Sequence, residues 1–255
     1  MRISNEIWAV IPARSGSKSL KNKNIKKLLG KPLIVHSIIS AKKNSLIDKV
    51  VFSSDSNKYI SIAKKYKCEY YNKRSSINSR DKSTDYDVFK EIVTFFINKK
   101  ISLPKFLVHF RPTCPIRKNI TITKAIQIFK KKYKSYSSLK SVSFNSHNSL
   151  KDYFIRKNQL FSINNKINSN IDKVNIPRNK LEKTYIGNGV VDIYKTRNIL
   201  KKNLLGNKVL PFLTNEIFCD IDSKRDFKIA ELIARPFLKL WNLLFTIQKK
   251  KKIFT

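Results

Sequence analysis

The chain has 255 residues, 41% of them hydrophobic, and its 54 lysines and arginines stand against only 17 acidic residues, for a net charge of +37. That length suits one large α/β domain or two small ones. The charge would attract nucleic acid, an anionic membrane surface or phosphorylated small molecules. Because the lysines are spread along the whole chain among Asn and Ile, codon bias of the genome is the simpler explanation.

The cysteines, histidines and apolar runs exclude several classes of protein. Cys68, Cys114 and Cys219 stand far apart without a CxxC spacing, which argues against a disulfide scaffold or a zinc site and suits a reducing cytoplasm. The three histidines show no metal-ligand spacing. No apolar run approaches the roughly 18 residues of a membrane span, and the first such run is too short for a signal peptide. We therefore expect a cytoplasmic protein.

The most informative stretch is a loop over residues 12–24, which follows a short apolar strand at residues 7–11. Its small residues let a backbone approach a ligand, and their N–H groups can point at phosphate oxygens. Arg14, Lys18 and Lys23 add positive charge where a polyphosphate would sit. The loop has neither the GK[ST] ending of a Walker A motif nor a GxGxxG fingerprint. It predicts a nucleotide triphosphate site, with an exposed basic loop as the alternative.

Strand-like and helix-like segments then alternate along the chain. In the first half they predict strands at 49–54, 68–71, 106–110 and 139–144, and helices at 32–43, 57–66, 85–98 and 120–129, with Thr84 capping the third helix. In the second half they predict strands at 187–194, 208–213 and 217–221, and a helix from about Ser223. This order indicates a mainly parallel sheet with helices on both faces, with ligands bound at the carboxyl ends of the strands.

Two segments depart from this pattern. Residues 145–183 contain short alternating runs at 153–156 and 159–163, which predict a β-hairpin acting as an arm over the site or as a contact with another subunit. Disorder is the alternative for residues 163–176, which are mostly Asn, Lys and Ile. After Pro236, dense apolar residues and the cluster Lys249–Lys252 predict a kinked helix with a basic tail, or a weak membrane-surface or partner contact.

Two further motifs carry charge near the predicted site. Asp220 and Asp222 would face one side of the predicted strand, where paired carboxylates and phosphate oxygens could hold Mg²⁺. The alternative is a pair that caps the final helix. Arg111 and Arg117 flank a proline-fixed turn and could bind phosphate or carboxylate, or they could be solvated side chains of a rigid turn.

Taken in chain order, the motifs resemble those of the acylneuraminate cytidylyltransferases, also called CMP-sialic acid synthetases. The resemblance covers residues 7–232 and rests on Ile11-Pro12-Ala13-Arg14-x-Gly16-Ser17-Lys18, Lys23-Asn24, Gly30-Lys31-Pro32-Leu33, Ser53-Ser54-Asp55-Ser56, Arg74 with Asp81-x-Ser83-Thr84, Pro112-Thr113-Cys114-Pro115-Ile116-Arg117, Asn188-Gly189 and Asp220-Ile221-Asp222-x-x-x-Asp226-Phe227. The run from Pro177 to Asp192 is more similar to the bacterial branch that acts on legionaminic or pseudaminic acid.

The resemblance implies a Rossmann-like cytidylyltransferase domain over residues 1–232, with residues 145–185 as a dimerisation arm and residues 233–255 as a helical basic extension. It implies a homodimer that depends on Mg²⁺ and takes part in cell-surface polysaccharide biosynthesis. The implied reaction transfers CMP from CTP to the anomeric hydroxyl of a nine-carbon 2-keto sugar acid and releases pyrophosphate.

Residue roles carried over by position are also implications of the resemblance. Arg14, Lys23 and Asp222 would be catalytic, with Asp222 as the candidate base, and Asp220 and Asp222 would bind Mg²⁺. The substrate-binding residues would be Lys18, Asn24, Arg74, Ser83, Thr84, Arg111 and Asn188. Arg111 stands where the family usually carries Gln, in a loop that faces the sugar, and Asp85 stands where many members carry Ser or Thr. These departures leave the identity of the sugar open.

Other functions remain possible at this point. A cytidylyltransferase for the eight-carbon acid 3-deoxy-manno-octulosonate, or a nucleotide-sugar glycosyltransferase of similar fold, would use many of the same residues. A nucleic-acid-binding protein would account for the net charge. The even spread of lysine and the lack of a nucleic-acid-binding motif argue against a specific nucleic-acid partner.

Overall fold

The computed structural model describes residues 2–164 and 171–235. Its strands are β1 (Ile7–Pro12), β2 (Lys27–Leu28), β3 (Lys31–Pro32), β4 (Lys49–Ser54), β5 (Tyr70–Lys73), β6 (Phe106–His109), β7 (Ser138–Phe144), β8 (Tyr153–Arg156), β9 (Gln159–Ser162), β10 (Tyr185–Lys195) and β11 (Val209–Leu213). Its helices are α1 (Leu33–Lys42), α2 (Asn57–Lys65), α3 (Asp85–Asn98), α4 (Asn119–Lys132), α5 (Thr196–Leu200) and α6, described over residues 224–235.

Seven strands form the central sheet, in the order β11–β7–β10–β6–β1–β4–β5. Neighbouring strands are parallel except around β10, which runs antiparallel to both β6 and β7. The predicted mainly parallel sheet is therefore confirmed. The alternation of segments did not reveal the reversed direction of β10.

Strand β1 explains why both faces of the sheet are covered. All of its residues from Ile7 to Ile11 are buried, and they alternate between two cores. Ala9 and Ile11 pack in the core beneath α1, α2 and α4, whereas Trp8 and Val10 pack in the core beneath α3 and α5. A strand that is buried on both faces needs this continuous apolar run.

Local signals fix the helix starts that surround the site. The Thr84 side chain accepts a hydrogen bond from the Asp87 N–H, and the Asp87 carboxylate accepts one from the Thr84 N–H, so α3 opens with a capping box. Ser56 caps α2. Helix α2 begins just after the carboxyl end of β4, and α3 follows the loop after β5, so both first turns lie at the carboxyl edge of the parallel strands.

The predicted strand over residues 217–221 is wrong. Ile217 is exposed, whereas Ile221 is fully buried beside Phe227 and Leu28. Ile221 therefore anchors this segment to the core, and the segment does not have the alternating burial of a strand. The Ile221 N–H donates to the Thr113 carbonyl oxygen at 2.8 Å, outside any strand ladder. Asp220 and Asp222 are therefore not aligned by a strand.

The predicted hairpin is present as β8 and β9, which pair only with each other. Phe154 and Phe161 stack across it at 5.4 Å, and Ile155 is 75% exposed. Its role as an arm for dimerisation stays a prediction. The segment predicted as disordered falls partly on residues 165–170, and the C-terminal extension falls mostly on residues 236–255; both ranges lie outside the described residues. Within the described residues, no helix is long and apolar enough to cross a membrane.

Candidate active site

A cavity of about 280 Å³ lies at the carboxyl edge of the sheet, where β1, β5 and β6 end and α3 begins. Nine of the eleven predicted site residues line it: Arg14, Lys18, Lys23, Asn24, Arg74, Ser83, Thr84, Arg111 and Asp222. Its charged lining comprises six cations and three carboxylates, namely Arg14, Lys18, Lys23, Arg74, Arg80, Arg111, Asp81, Asp85 and Asp222. The lining is therefore net cationic, as an anionic ligand requires.

Asp81 joins two of the predicted triphosphate ligands. Its carboxylate accepts from Arg14 Nη1 at 2.5 Å and lies 2.5 Å from Lys18 Nζ. The hydrogen bonds from Lys18 and Arg14, together with their charges, lower the pKa of Asp81 below its ordinary value. The Asp81 carboxylate thus forms ion pairs with Arg14 and Lys18, the side chains that the sequence predicts to bind phosphate.

Lys23 and Asn24 form the inner side of the same loop. Lys23 is buried, and its Nζ lies 2.7 Å from Asp222 Oδ1. Asn24 Nδ2 donates to the Arg14 carbonyl oxygen at 2.8 Å, which fixes the amide against the loop backbone. Ser19 Oγ donates to the Asp222 carbonyl oxygen at 2.6 Å, so the loop over residues 12–24 is tied to the segment before α6.

Three buried polar atoms at this cavity lack a hydrogen-bond partner: Asn24 Oδ1, Arg74 Nε and Ser83 Oγ. A buried polar atom without a partner costs about 1–3 kcal/mol. Arg74 is 6% exposed, and burial lowers the pKa of its guanidinium. Because the three residues converge on one cavity, their free donors and acceptors indicate a polar ligand in that space.

Arg111 forms a second cationic wall. Its Nη2 donates to Asp85 Oδ2 at 2.7 Å and to Asp192 Oδ2 at 3.3 Å. Burial alone would lower the pKa of Arg111, but the Asp85 and Asp192 carboxylates raise it. Asp192 is almost fully buried, and Lys140 Nζ lies 3.7 Å from it. Arg111 is thus a fixed cation.

Two glycines of β10 make this arrangement possible. A Cβ on Gly189, where φ is +64°, would lie 3.2 Å from Arg111 Cδ. A Cβ on Gly187 would lie 3.2 Å from Lys140 Cε. Both cationic side chains therefore reach Asp192 across positions that have no side chain.

The second arginine of the proline-fixed turn lies elsewhere. Arg117 donates to the Val190 carbonyl oxygen at 2.7 Å, to Ser37 Oγ at 3.1 Å and to the Arg111 carbonyl oxygen at 2.5 Å. It is an internal anchor that holds the Arg111 backbone, and it is neither solvated nor part of the cavity lining.

Two predicted site residues lie outside the cavity. The Asn188 side chain is buried, donates to Ser143 Oγ at 2.8 Å and to Thr214 Oγ1 at 2.7 Å, and accepts from the Val190 N–H at 3.1 Å. These bonds give it a structural position between β10 and β7. Asp220 is exposed and does not line the cavity.

Asp222 and Asp226, the carboxylates near the start of α6, have different roles that the sequence did not distinguish. Asp226 accepts from the Ser223 and Asp222 N–H groups, and Ser223 Oγ accepts from the Asp226 N–H, so these residues form the helix cap. Asp222 is left facing the cavity. Over the described ranges, no group of three or more His, Cys, Asp or Glu residues could hold a metal ion.

Asp81 and His109 line the cavity but were not among the predicted site residues. Asp81 belongs to the motif Asp81-x-Ser83-Thr84. An acidic residue in an otherwise basic loop was the one sign in the sequence that it could pair with nearby cations. His109 is fully buried against Phe89 and Tyr194, and burial holds its pKa well below the ordinary value. It lines the cavity floor as a neutral ring.

The fold and this cavity together define the class of the protein. A mainly parallel sheet with helices on both faces and a cation-lined cavity at the carboxyl edge is the arrangement of nucleotide-binding α/β proteins. The family model for cytidylyltransferases matches residues 8–202. The chain belongs to that family.

Curated relatives narrow the comparison. The chain is 29% identical over 232 residues to the N-acylneuraminate cytidylyltransferase of Escherichia coli, covering 90% of this chain and 52% of that protein. It is 36% identical over 137 residues to the CMP-N,N'-diacetyllegionaminic acid synthase of Legionella pneumophila, covering 54% and 59%. It is 27% identical over 239 residues to the post-translational flagellin modification protein B of Campylobacter coli, covering 91% and 96%. The chain spans little more than half the length of the first two relatives.

A solved structure supports the fold. A CMP:2-keto-3-deoxy-manno-octonic acid synthetase complexed with CTP is 13% identical, with a TM-score of 0.63, and the match covers 91% of this chain and 99% of that one. At this identity, the likeness concerns the fold alone.

Proposed function

We propose that this protein transfers CMP from CTP to the anomeric hydroxyl of a nine-carbon, sialic acid-like 2-keto sugar acid and releases pyrophosphate. One observation carries the proposal: buried polar atoms without partners and a group of cations converge on one cavity in a chain of the cytidylyltransferase family. The names of the relatives support a nonulosonic acid as the acceptor.

In this proposal the triphosphate lies against Arg14, Lys18 and Lys23. The phosphate oxygens would replace the Asp81 carboxylate, since both are anionic acceptors for the same N–H donors. Asn24, Arg74, Ser83 and Thr84 would hold the nucleoside. This use accounts for the three unpartnered atoms of Asn24, Arg74 and Ser83, because a ribose or a pyrimidine supplies both donors and acceptors.

The acceptor sugar would lie on the Arg111 side of the cavity. Two carboxylates share Arg111 Nη2, so the rest of the guanidinium can bind an anion. A sugar acid carries a carboxylate, and a fixed guanidinium is suited to bind it. Asp85 lines the same wall and can accept hydrogen bonds from sugar hydroxyl or amide groups.

The reaction is a nucleotidyl transfer. The anomeric oxygen forms a bond to the α-phosphorus of CTP, the bond to the bridging oxygen breaks, and pyrophosphate leaves with the electron pair. Arg14, Lys18 and Lys23 stabilise the negative charge that develops on the leaving group. The hydroxyl proton passes to the Asp222 carboxylate, which Lys23 holds at the cavity.

The donor set at the cavity fits a Mg²⁺ ion that arrives with the nucleotide. Mg²⁺ keeps several waters and needs one or two carboxylates besides phosphate oxygens. Asp222 would supply the carboxylate, whereas Asp220 lies outside the cavity and remains a candidate from the sequence alone. When bound, Mg²⁺ neutralises phosphate charge and so favours attack on phosphorus.

We also propose that residues 1–232 form the catalytic domain, that residues 233–255 are an extension, and that two chains associate through the β8–β9 hairpin. The hairpin exposes Ile155 and Leu160. Apolar side chains on a protruding hairpin are typical of a protein–protein contact. Changing both residues to Ser should convert a dimer to a monomer in analytical ultracentrifugation, and a wild-type monomer would contradict the proposal.

The proposed reaction is tested by incubation with CTP, Mg²⁺ and a panel of sugar acids, with pyrophosphate release and the CMP-sugar product as readouts. Turnover with nine-carbon acids and not with 3-deoxy-manno-octulosonate is the expected result. Turnover with the eight-carbon acid alone would make that acid the substrate. Tight, salt-dependent DNA binding without pyrophosphate release from any acid would overturn the proposal.

A further inference from the structure

The amino edge of the sheet lies opposite the cavity and is strongly basic. Strands β1, β4, β5, β6, β7 and β11 begin at this edge, and the antiparallel β10 ends there. Each of α1 to α4 ends a few residues before one of those strands begins, so the helix carboxyl ends are gathered at the same edge. Among the described residues, fourteen exposed lysines and two exposed arginines stand there: Lys42, Lys43, Lys64, Lys65, Lys67, Lys99, Lys100, Lys130, Lys131, Lys132, Lys134, Lys201, Lys202, Lys208, Arg2 and Arg197.

Acidic residues at this edge offset little of that charge. In the described part of the chain they are Glu6, Asp48 and Glu69. Glu6 lies 2.9 Å from Lys49, a half-buried lysine outside the exposed set, and Glu69 lies 2.9 Å from Lys42. Asp48 accepts a hydrogen bond from a backbone N–H. Three carboxylates set against sixteen exposed cations leave the described part of the amino edge with a large net positive charge.

The basic side chains are also crowded. Burial and the nearby charge of Arg197 lower the pKa of Lys195, which lies at the end of β10. Lys105 Nζ lies 4.2 Å from the centre of the Tyr133 ring, and Lys195 Nζ lies 5.8 Å from it. Helix carboxyl ends favour lysine, which accounts for single residues at this edge. The helix dipole does not account for three consecutive lysines at the end of α4, or for the further lysines after α2, α3 and α5.

We propose that the amino edge is a docking surface for an anionic lipid membrane. Fourteen of the sixteen exposed cations described at this edge are lysines, and lysine acts as a hydrated point charge suited to diffuse attraction. Proteins that recognise nucleic acid commonly use arginine forks and helix amino ends, whereas this edge gathers the carboxyl ends of α1 to α4 and carries only two exposed arginines. An anionic leaflet attracts each nearby lysine without needing a defined geometry.

Docking by this edge would leave the cavity free. The cavity opens at the carboxyl edge of the same sheet, so a protein held by its amino edge points the cavity away from the membrane. The inference does not depend on the proposed reaction, since it uses only the distribution of charge.

The experiment is sedimentation of the full-length protein with vesicles of about 30% phosphatidylserine in phosphatidylcholine at about 0.15 M salt. The first variant carries Lys130→Gln, Lys131→Gln, Lys132→Gln and Lys134→Gln. A second variant carries Lys201→Gln, Lys202→Gln and Lys208→Gln, so that a folding defect in one does not decide the result. The control carries Lys27→Gln, Lys31→Gln, Lys58→Gln and Lys118→Gln, which are exposed and lie away from the amino edge. All variants keep Lys249–Lys252.

We expect binding to phosphatidylserine vesicles and none to pure phosphatidylcholine. Each lysine near the surface contributes about fivefold in partitioning, so the first variant should lose about 100-fold after allowance for screening, the second at least about tenfold, and the control less than about threefold. Absence of vesicle binding, or equal losses in variants and control, would overturn the proposal. Displacement of the protein from vesicles by duplex DNA at equal phosphate concentration would assign the surface to nucleic acid.

Discussion

Arg74→Met is the most informative change at the cavity, because it should move stability and nucleotide binding in opposite directions. Arg74 is 6% exposed, and its Nε has no partner. Within the described residues, its side chain makes one hydrogen bond, from Nη2 to the Ser53 carbonyl oxygen, which is long at 3.5 Å. Methionine has a similar length and no unpaired donor. If the role of Arg74 is to bind the nucleotide, its buried, unpaired Nε lowers the stability of the protein when no nucleotide is bound.

The magnitude follows from the contacts. Relief of a buried unpaired donor is worth about 1–3 kcal/mol, and loss of the long bond offsets a small part of it. We expect the free energy of unfolding to rise by about 1–2 kcal/mol, which is roughly 2–8 °C in Tm for a domain of this size. CTP affinity should fall at least about tenfold, because a hydrogen bond from a charged donor is worth about 1.5–3 kcal/mol.

Thermal denaturation and calorimetric titration with CTP measure the two effects. Arg117→Met is the matched control, since Arg117 makes three short bonds to Val190, Ser37 and Arg111 and lies outside the cavity. It should lower the free energy of unfolding by about 2–4 kcal/mol. If Arg74→Met also destabilised the protein, or left CTP affinity unchanged, then Arg74 would be a structural residue and our reasoning would be refuted.

Three further predictions concern the same cavity. Arg111→Gln and Asp85→Ser should each raise the KM for the sugar acid without changing CTP affinity, and the double variant should reveal about 0.5–3 kcal/mol of coupling across their 2.7 Å contact. Gly189→Ala should cost about 1–2 kcal/mol in denaturant titration, because φ is +64° and the added carbon would press on Arg111. Asp81→Asn should tighten CTP binding in calorimetry, because it removes the carboxylate that occupies Arg14 and Lys18.

Controls keep these predictions separate. Gly16→Ala adds a methyl group that meets nothing within 4 Å, and should change stability by less than about 0.5 kcal/mol. Additive effects of the Arg111 and Asp85 changes would mean that the two residues act independently. Weaker CTP binding in Asp81→Asn would make Asp81 a supporting residue of the loop and not a competitor of phosphate.

Much of the fold follows from signals that are local in the sequence. Strand β4 and helix α3 have their predicted bounds, since the first is a bounded apolar run and the second has a capping Thr84. No such signal indicated that β10 is antiparallel, because the pattern of apolar residues in a strand does not depend on the strand's orientation in the sheet. The short strand at 68–71 is shifted to Tyr70–Lys73, after a left-handed Lys67, because the strand must pair with β4.

The site follows a similar division. Cations of one loop, such as Arg14 and Lys23, could be assigned together because they are neighbours in the sequence. The Arg14–Asp81 contact joins residues 67 positions apart, and only the fold brings them together. The Asn188-Gly189 motif is typical of a loop, yet the Asn188 amide donates hydrogen bonds to Ser143 and Thr214. These bonds depend on the register of β10 against β7.

The bridge from Asp81 to Arg14 and Lys18 has a consequence for the end of the catalytic cycle. A cavity with many unopposed cations would retain pyrophosphate, and release of this product would then limit turnover. A tethered carboxylate that returns to both cations competes with the departing anion at high local concentration. In the proposed reaction, Asp81 would speed the exit of pyrophosphate and again offset part of the positive charge of Arg14 and Lys18 before the next nucleotide binds.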